Sequence, residues 1–122
     1  MKEILSQLNR CVGISGSAVI THDGIPVVSV IPDQTNEDKV AAIGASLIRS
    51  TVTGLGQLAD QEVQSVWLEA SRGRILLVNA GNIFLVVVTD PTINLDTTML
   101  DIKSAANRLR RAVSLEWADS QK

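Results

Sequence analysis

Reactive and stapling side chains are scarce in this 122-residue chain: one cysteine, Cys11, one histidine, His22, two tryptophans, one phenylalanine and no tyrosine. A single cysteine excludes an intramolecular disulfide and fits a reducing compartment. Cys11 and His22 together cannot supply the usual four ligands of a zinc site. A Cys-His nucleophile pair would need Cys11, at the end of a first helix, to meet His22 in a hairpin turn. Few aromatics leave no stacking platform for bases, and a net charge of −2 with a pI near 5.3 gives no field for phosphate backbones, so nucleic acid is not an expected partner. The longest apolar run falls far short of the roughly 20 residues that span a bilayer, and the charged start at Lys2 and Glu3 is not a secretory signal. These absences predict a soluble cytoplasmic protein without a membrane span.

Nucleotide-binding chemistry is missing as well. No GxxxxGK[ST] occurs, and Gly54-Leu55-Gly56 follows a helix where a phosphate loop precedes one. Glu62 and Glu69, seven apart on a strand, fall on opposite faces and cannot share acid-base work. No catalytic residue, cofactor or metal is expected.

What is present is apolar patterning. Arg72 to Asp90 holds two β-branched runs, Ile75–Val78 and Ile83–Val88, around Asn79-Ala80-Gly81-Asn82, and these read as paired strands. The second run has no polar alternation, so it belongs in mid-sheet with both faces covered. Gly16–Thr21 and Ile25–Ile31 flank His22-Asp23-Gly24, an Asp-Gly hairpin signal. Glu62–Ala70 alternates as a half-exposed strand, with Gln64, Val66 and Leu68 on one side and Val63, Ser65, Trp67 and Glu69 on the other. Such a strand belongs at a sheet edge, where unpaired backbone groups invite another chain.

Three helices complete the set. Lys2–Arg10 carries Ile4, Leu5 and Leu8 on one stripe, with Val12 after them. A long helix, capped by Thr35 or Asn36 with Glu37 and Asp38 in its first turn, runs to about Ala59. It presents Val40, Ile43, Leu47, Ile48, Thr51, Leu55 and Leu58 to a sheet, and its small residues Ala41, Ala42, Gly44, Ala45 and Ser46 either permit close backbone approach or serve as simple helix formers. The last helix, capped by Asn94 or Asp96, repeats Leu95, Met99, Ile102, Ala106, Leu109 and Val113 at helical spacing. The predicted architecture is an α/β (α+β) sandwich of order α-β-β-α-β-β-β-α with one five-stranded antiparallel sheet. A single domain is expected over 1–115 and a flexible C-terminal tail over 116–122.

The residues that carry this order also resemble a known family. Leu5 and Leu8 before Gly16-Ser17-Ala18-Val19-Ile20, the Asp23-Gly24 turn, the Ala-rich helix from Asp38, Gly73–Val78 and Leu85–Thr92 are similar in order and spacing to the Roadblock/dynein light chain family, over about residues 3 to 113. The resemblance implies a Roadblock/profilin-like fold, with the long helix on one face and the terminal helices on the other. It implies a homodimer joined edge to edge through the third strand, here Val63, Gln64, Ser65, Val66, Trp67 and Leu68, and through the middle-helix face bearing Ala42, Ala45, Ser46 and Arg49. The chain is most similar to prokaryotic members of the MglB type, which act on small Ras-like GTPases without catalytic groups of their own. A GTPase contact would then involve Arg49 and Arg72. The function so implied is a non-enzymatic, homodimeric regulator or scaffold for a Ras-like GTPase, possible GTPase activation included. The alternatives are a structural adaptor in a multiprotein or motor-type complex and, third, a small-molecule sensor.

Overall fold

The computed structural model describes residues 1–32, 34–56 and 62–120; the side chains of 34–38, 41, 52, 53, 55, 56, 95 and 115–120 lie outside that description. The element order is α1 (Lys2–Leu8), β1 (Ile14–Thr21), β2 (Pro26–Val30), α2 (Gln34–Gly56), β3 (Ser65–Ala70), β4 (Gly73–Asn79), β5 (Ile83–Thr89) and α3 (Leu95–Ser120). The strands form one antiparallel sheet in the order β2-β1-β5-β4-β3. The run without polar alternation is thus the middle strand, and the half-polar run is an edge.

Each face of the sheet has its own core. On one, Leu5 and Leu8 of α1 and Ile102, Ala105, Ala106 and Leu109 of α3 close over Val19, Leu76, Val78, Leu85 and Val87. On the other, Val40 and Ile48 of α2 cover Ala18, Ile20, Leu77, Phe84 and Val86. Alternate residues of β5 serve the two cores in turn, which is why it tolerates no polar position. Burying so many branched side chains, each worth about 1.5–3 kcal/mol, supplies the driving force for the fold.

Local signals explain the connections. Gly24 has φ +87°, the conformation the hairpin between β1 and β2 requires, and its N–H donates to Thr21 O at 2.9 Å. Asn94 is the cap of α3: its Oδ1 accepts the Asp96 N–H at 3.0 Å, leaving Asp96 as the first-turn acid. The buried Ser17 hydroxyl donates to Asn9 Oδ1 at 2.8 Å while Asn9 Nδ2 donates to Val30 O at 2.8 Å, so one polar pair ties the end of α1 to β1 and β2.

Three expectations need correction. Val12 does not extend the stripe of α1, because the helix stops at Leu8 and leaves Val12 in a turn, 93% exposed. Ile43 is not buried on the sheet but is 41% exposed. The helix seats itself on Gly44, where an added Cβ would come within 3.3 Å of Ile20 and 3.5 Å of Val86, and Ile43 lines an open cavity left between α2 and the sheet. The third strand starts at Ser65, not Glu62; the alternation therefore does not reach Val63, which joins Val66 on the α2 side. The last helix, α3, runs from Leu95 to Ser120. The expected capping residues Thr35 and Asn36, the acids Glu37 and Asp38, and the helix end near Ala59 lie outside the described residues or side chains.

Candidate interaction surface

Among the described residues β3 is hydrogen-bonded on one side only, to β4, in the register Ser65↔Val78 through Ala70↔Gly73. Cross-strand partners share a face. Val66 and Leu68, opposite Leu77 and Ile75, therefore face the α2 side; Ser65, Trp67 and Glu69, opposite Val78, Leu76 and Arg74, face the α1/α3 side. Trp67 stays 48% exposed and Leu68 41%, whereas Val66 is half-buried against the α2-side core. An edge that combines free backbone groups with apolar side chains on both faces is a template for pairing.

The start of this edge is anchored by a residue that reads in the sequence only as part of a turn. Asn79 is buried; its N–H donates to Gln64 O at 2.8 Å, its Nδ2 to Val63 O at 2.8 Å, and its Oδ1 accepts the Gly81 N–H at 2.8 Å. One side chain thus closes the β4–β5 turn and fixes the entry to β3. The signal available beforehand was an Asn two residues before a Gly, which marks a turn and not a long-range clamp.

The remaining candidates separate into exposed and internal residues. On α2, Ala42, Ser46 and Arg49 are exposed at i, i+4, i+7 and share one stripe. Ala45 is only 5% exposed and packs on the hairpin turn of the same chain, where a Cβ on Gly24 would stand 2.5 Å from its own. Val63 is likewise buried within the chain, while Gln64 is exposed. Arg49 lies in mid-α2 and Arg72 in the exposed turn between β3 and β4; among the described residues neither joins a hydrogen bond or ion pair.

Groups with conceivable chemistry are kept apart. Cys11 precedes β1 and His22 follows it, so the length of the strand lies between them. The His22 ring lies 4.6 Å from that of Phe84, tilted by 44°. Partial burial raises the Cys11 thiol above its ordinary pKa, and the neighbouring Asp101 carboxylate raises it further by charge and by accepting its hydrogen bond. This opposes thiolate formation and nucleophilic use. Glu69 is held by Arg74, Nε to Oε1 at 3.1 Å, an exposed pair of small energetic weight. Among the described residues no His, Cys, Asp or Glu group could hold a metal ion, and no helix is long and apolar enough to cross a membrane.

Under the first half of α2 lies a cavity of about 530 Å³, between Lys39, Val40 and Ile43 on the helix, Gly16 and Val88 on the sheet, and Ile31 just after β2. Its walls are apolar apart from Lys39 and the exposed Ser15.

Comparison with known proteins gives a consistent result. The Roadblock/LC7 domain family matches residues 1–89. Protein MJ0310 of Methanocaldococcus jannaschii, described as uncharacterized, is 28% identical over 107 residues, covering 88% of this chain and 94% of that one. A Roadblock/LC7 domain from Streptomyces avermitilis superposes with a TM-score of 0.83 at 16% identity, covering 93% of this chain and 98% of that one. A structure of MglB with a tetrameric arrangement gives 0.78 at 25% identity, covering 90% and 85%.

Proposed function

The chain belongs to the Roadblock/LC7 family, and from that premise we propose that it is a non-enzymatic, homodimeric platform that binds a small Ras-like GTPase and biases its nucleotide cycle. The family membership and the MglB likeness support a regulator or adaptor role in the coarser sense. The observation that carries the finer reading is the one-sided pairing of β3 beside half-exposed Trp67 and Leu68. Two such edges joined antiparallel would satisfy each other's N–H and C=O groups and bring the exposed α2 stripes of Ala42, Ser46 and Arg49 together. Ala45 and Val63 would contribute from beneath, as the packing that holds those surfaces in place. Arg49 and Arg72 are the candidate GTPase contacts, acting by position and charge in a cytoplasmic complex.

Regulation requires different affinity for the two nucleotide states of the partner. The test mixes the purified protein with the Ras-like GTPase encoded nearest to it and follows binding, hydrolysis and nucleotide exchange. A preference for one state with a changed rate supports the proposal. Equal binding to both states with unchanged rates assigns the protein to the adaptor class instead, and no binding at all overturns the GTPase reading.

The cavity under α2 favours one further reading, a small-molecule sensor, because its volume falls in the range of ligand sites and its walls are apolar with one cation. A thermal-shift screen of small apolar carboxylates tests this. Stabilisation lost in Ile43→Trp, which fills the cavity, would support it.

A further inference from the structure

We propose that the flank of α3 facing the β3 edge is a docking groove for an acidic amphipathic helix of a partner protein, a site that the GTPase reading does not use. On this face of the sheet α1 covers β1 and β2 and packs beside α3, while α3 lies over β4 and β5. One flank of α3 is therefore filled by a helix of this chain. Along the other flank runs a groove of about 350 Å³ whose apolar surface comes from Val78, Met99 and Ala106.

The geometry suits a helix. Helices pack about 8–10 Å apart and strands about 4.8 Å apart, so a helix laid beside α3 sits about two strand spacings away, above β3. There it meets Trp67, which faces this side of the sheet and is 48% exposed among the described residues. On the filled flank, α1 shows what such a position selects: a short amphipathic segment burying Leu5 and Leu8. The partner helix needs an apolar stripe of the same kind, and Met99 gives the groove an adaptable side chain to receive it.

Charge defines the rest of the partner. Lys103 and Arg110 rim the groove with Asn107 between them, and no carboxylate lines it among the described residues, although the chain holds 13 acidic against 11 basic residues. Arg110 is held at the rim by donating from Nη2 to Asn79 O at 3.4 Å. Lys103 has no ion-pair partner among the described residues. Two uncompensated cations beside an apolar strip complement a helix whose apolar stripe is flanked by Asp or Glu.

The experiment selects displayed helical 16-residue peptides, unbiased in charge, on the full-length protein. The winner is then measured through Trp67 emission in a Trp117→Phe background, Trp67 and Trp117 being the only two tryptophans. Expected are peptides with Asp or Glu flanking an apolar i, i+3, i+7 stripe, a shift in Trp67 emission on binding, and affinity weakened about tenfold in Lys103→Glu/Arg110→Glu. Lys103→Glu alone, which leaves the Arg110 contact to Asn79 intact, should lose about threefold. Basic or uncharged winners, winners indifferent to both variants, or no enrichment would overturn the proposal.

Discussion

β5 and β3 are both short strands of the same sheet, yet one is sealed and the other open. Every residue of β5 except Val88 is buried, with neighbours on both edges and helices over both faces. In β3 only Val66 is even partly buried, its outer edge is unpaired, and the helix layer on the α1/α3 side stops short of it. The difference teaches that β-propensity says little about what a strand is for. Val, Leu and an aromatic residue occur in both, and they form a core where neighbours surround them and stay exposed where they end the sheet.

The sharpest way to break this contrast is in β5. Leu85→Ala removes a fully buried side chain from the centre of the α1/α3 core and should cost about 3 kcal/mol in urea unfolding. A loss under about 1 kcal/mol would mean that the centre of the sheet is less tightly packed than its burial implies. Asn79→Ala should cost about 2 kcal/mol, because it leaves the carbonyl of Val63 and the N–H of Gly81 without their partner. Faster amide exchange at the start of β3, with β5 unchanged, would locate that effect at the edge.

Leu68→Asp should behave in the opposite sense to Leu85→Ala. Its side chain is 41% exposed, so folding stability of the subunit should change by no more than about 1 kcal/mol, while the dimer proposed above should be lost in sedimentation. This position separates assembly from folding better than Val66, which packs on the α2-side core. An unchanged dimer would remove the β3 edge from the assembly. The smallest effect lies outside both strands. The Cys11 pKa is raised in the folded protein above the ordinary value of 9.0, so the folded state holds the proton more tightly than the unfolded chain. Stability is then unaffected below pH 9 and falls as pH rises through the folded pKa. Cys11→Ser should abolish that slope in unfolding experiments at pH 8 and 10, and the absence of tyrosine removes one competing titration.

The surface was less legible than the fold, for reasons visible in single residues. Leu5, Ile20, Leu85, Ile102 and Leu109 announce their burial through local periodicity, and all five are fully buried. The Asp23-Gly24 turn and the Asn94 cap follow from chemistry within a few residues. By contrast, Ala45 looks like a contact for another chain until the hairpin tip at Gly24, 21 residues earlier, is seen resting on it. Val63 looks like strand edge until Asn79 is seen holding its carbonyl across 16 residues. Ile43 sits on the apolar stripe, yet it borders an open cavity beside the helix and stays 41% exposed.

By itself, the sequence determined the order of the eight elements, the mid-sheet place of β5 and the edge position of β3, because each is written in the period and polarity of a short stretch. Tertiary structure alone decided which small residues are consumed inside the subunit, where a cavity remains beneath α2, and that α3 has one flank filled and the other bare. Those outcomes depend on which distant segment reaches a given side chain first. Local patterning specifies that a residue should be covered, and only packing specifies by what.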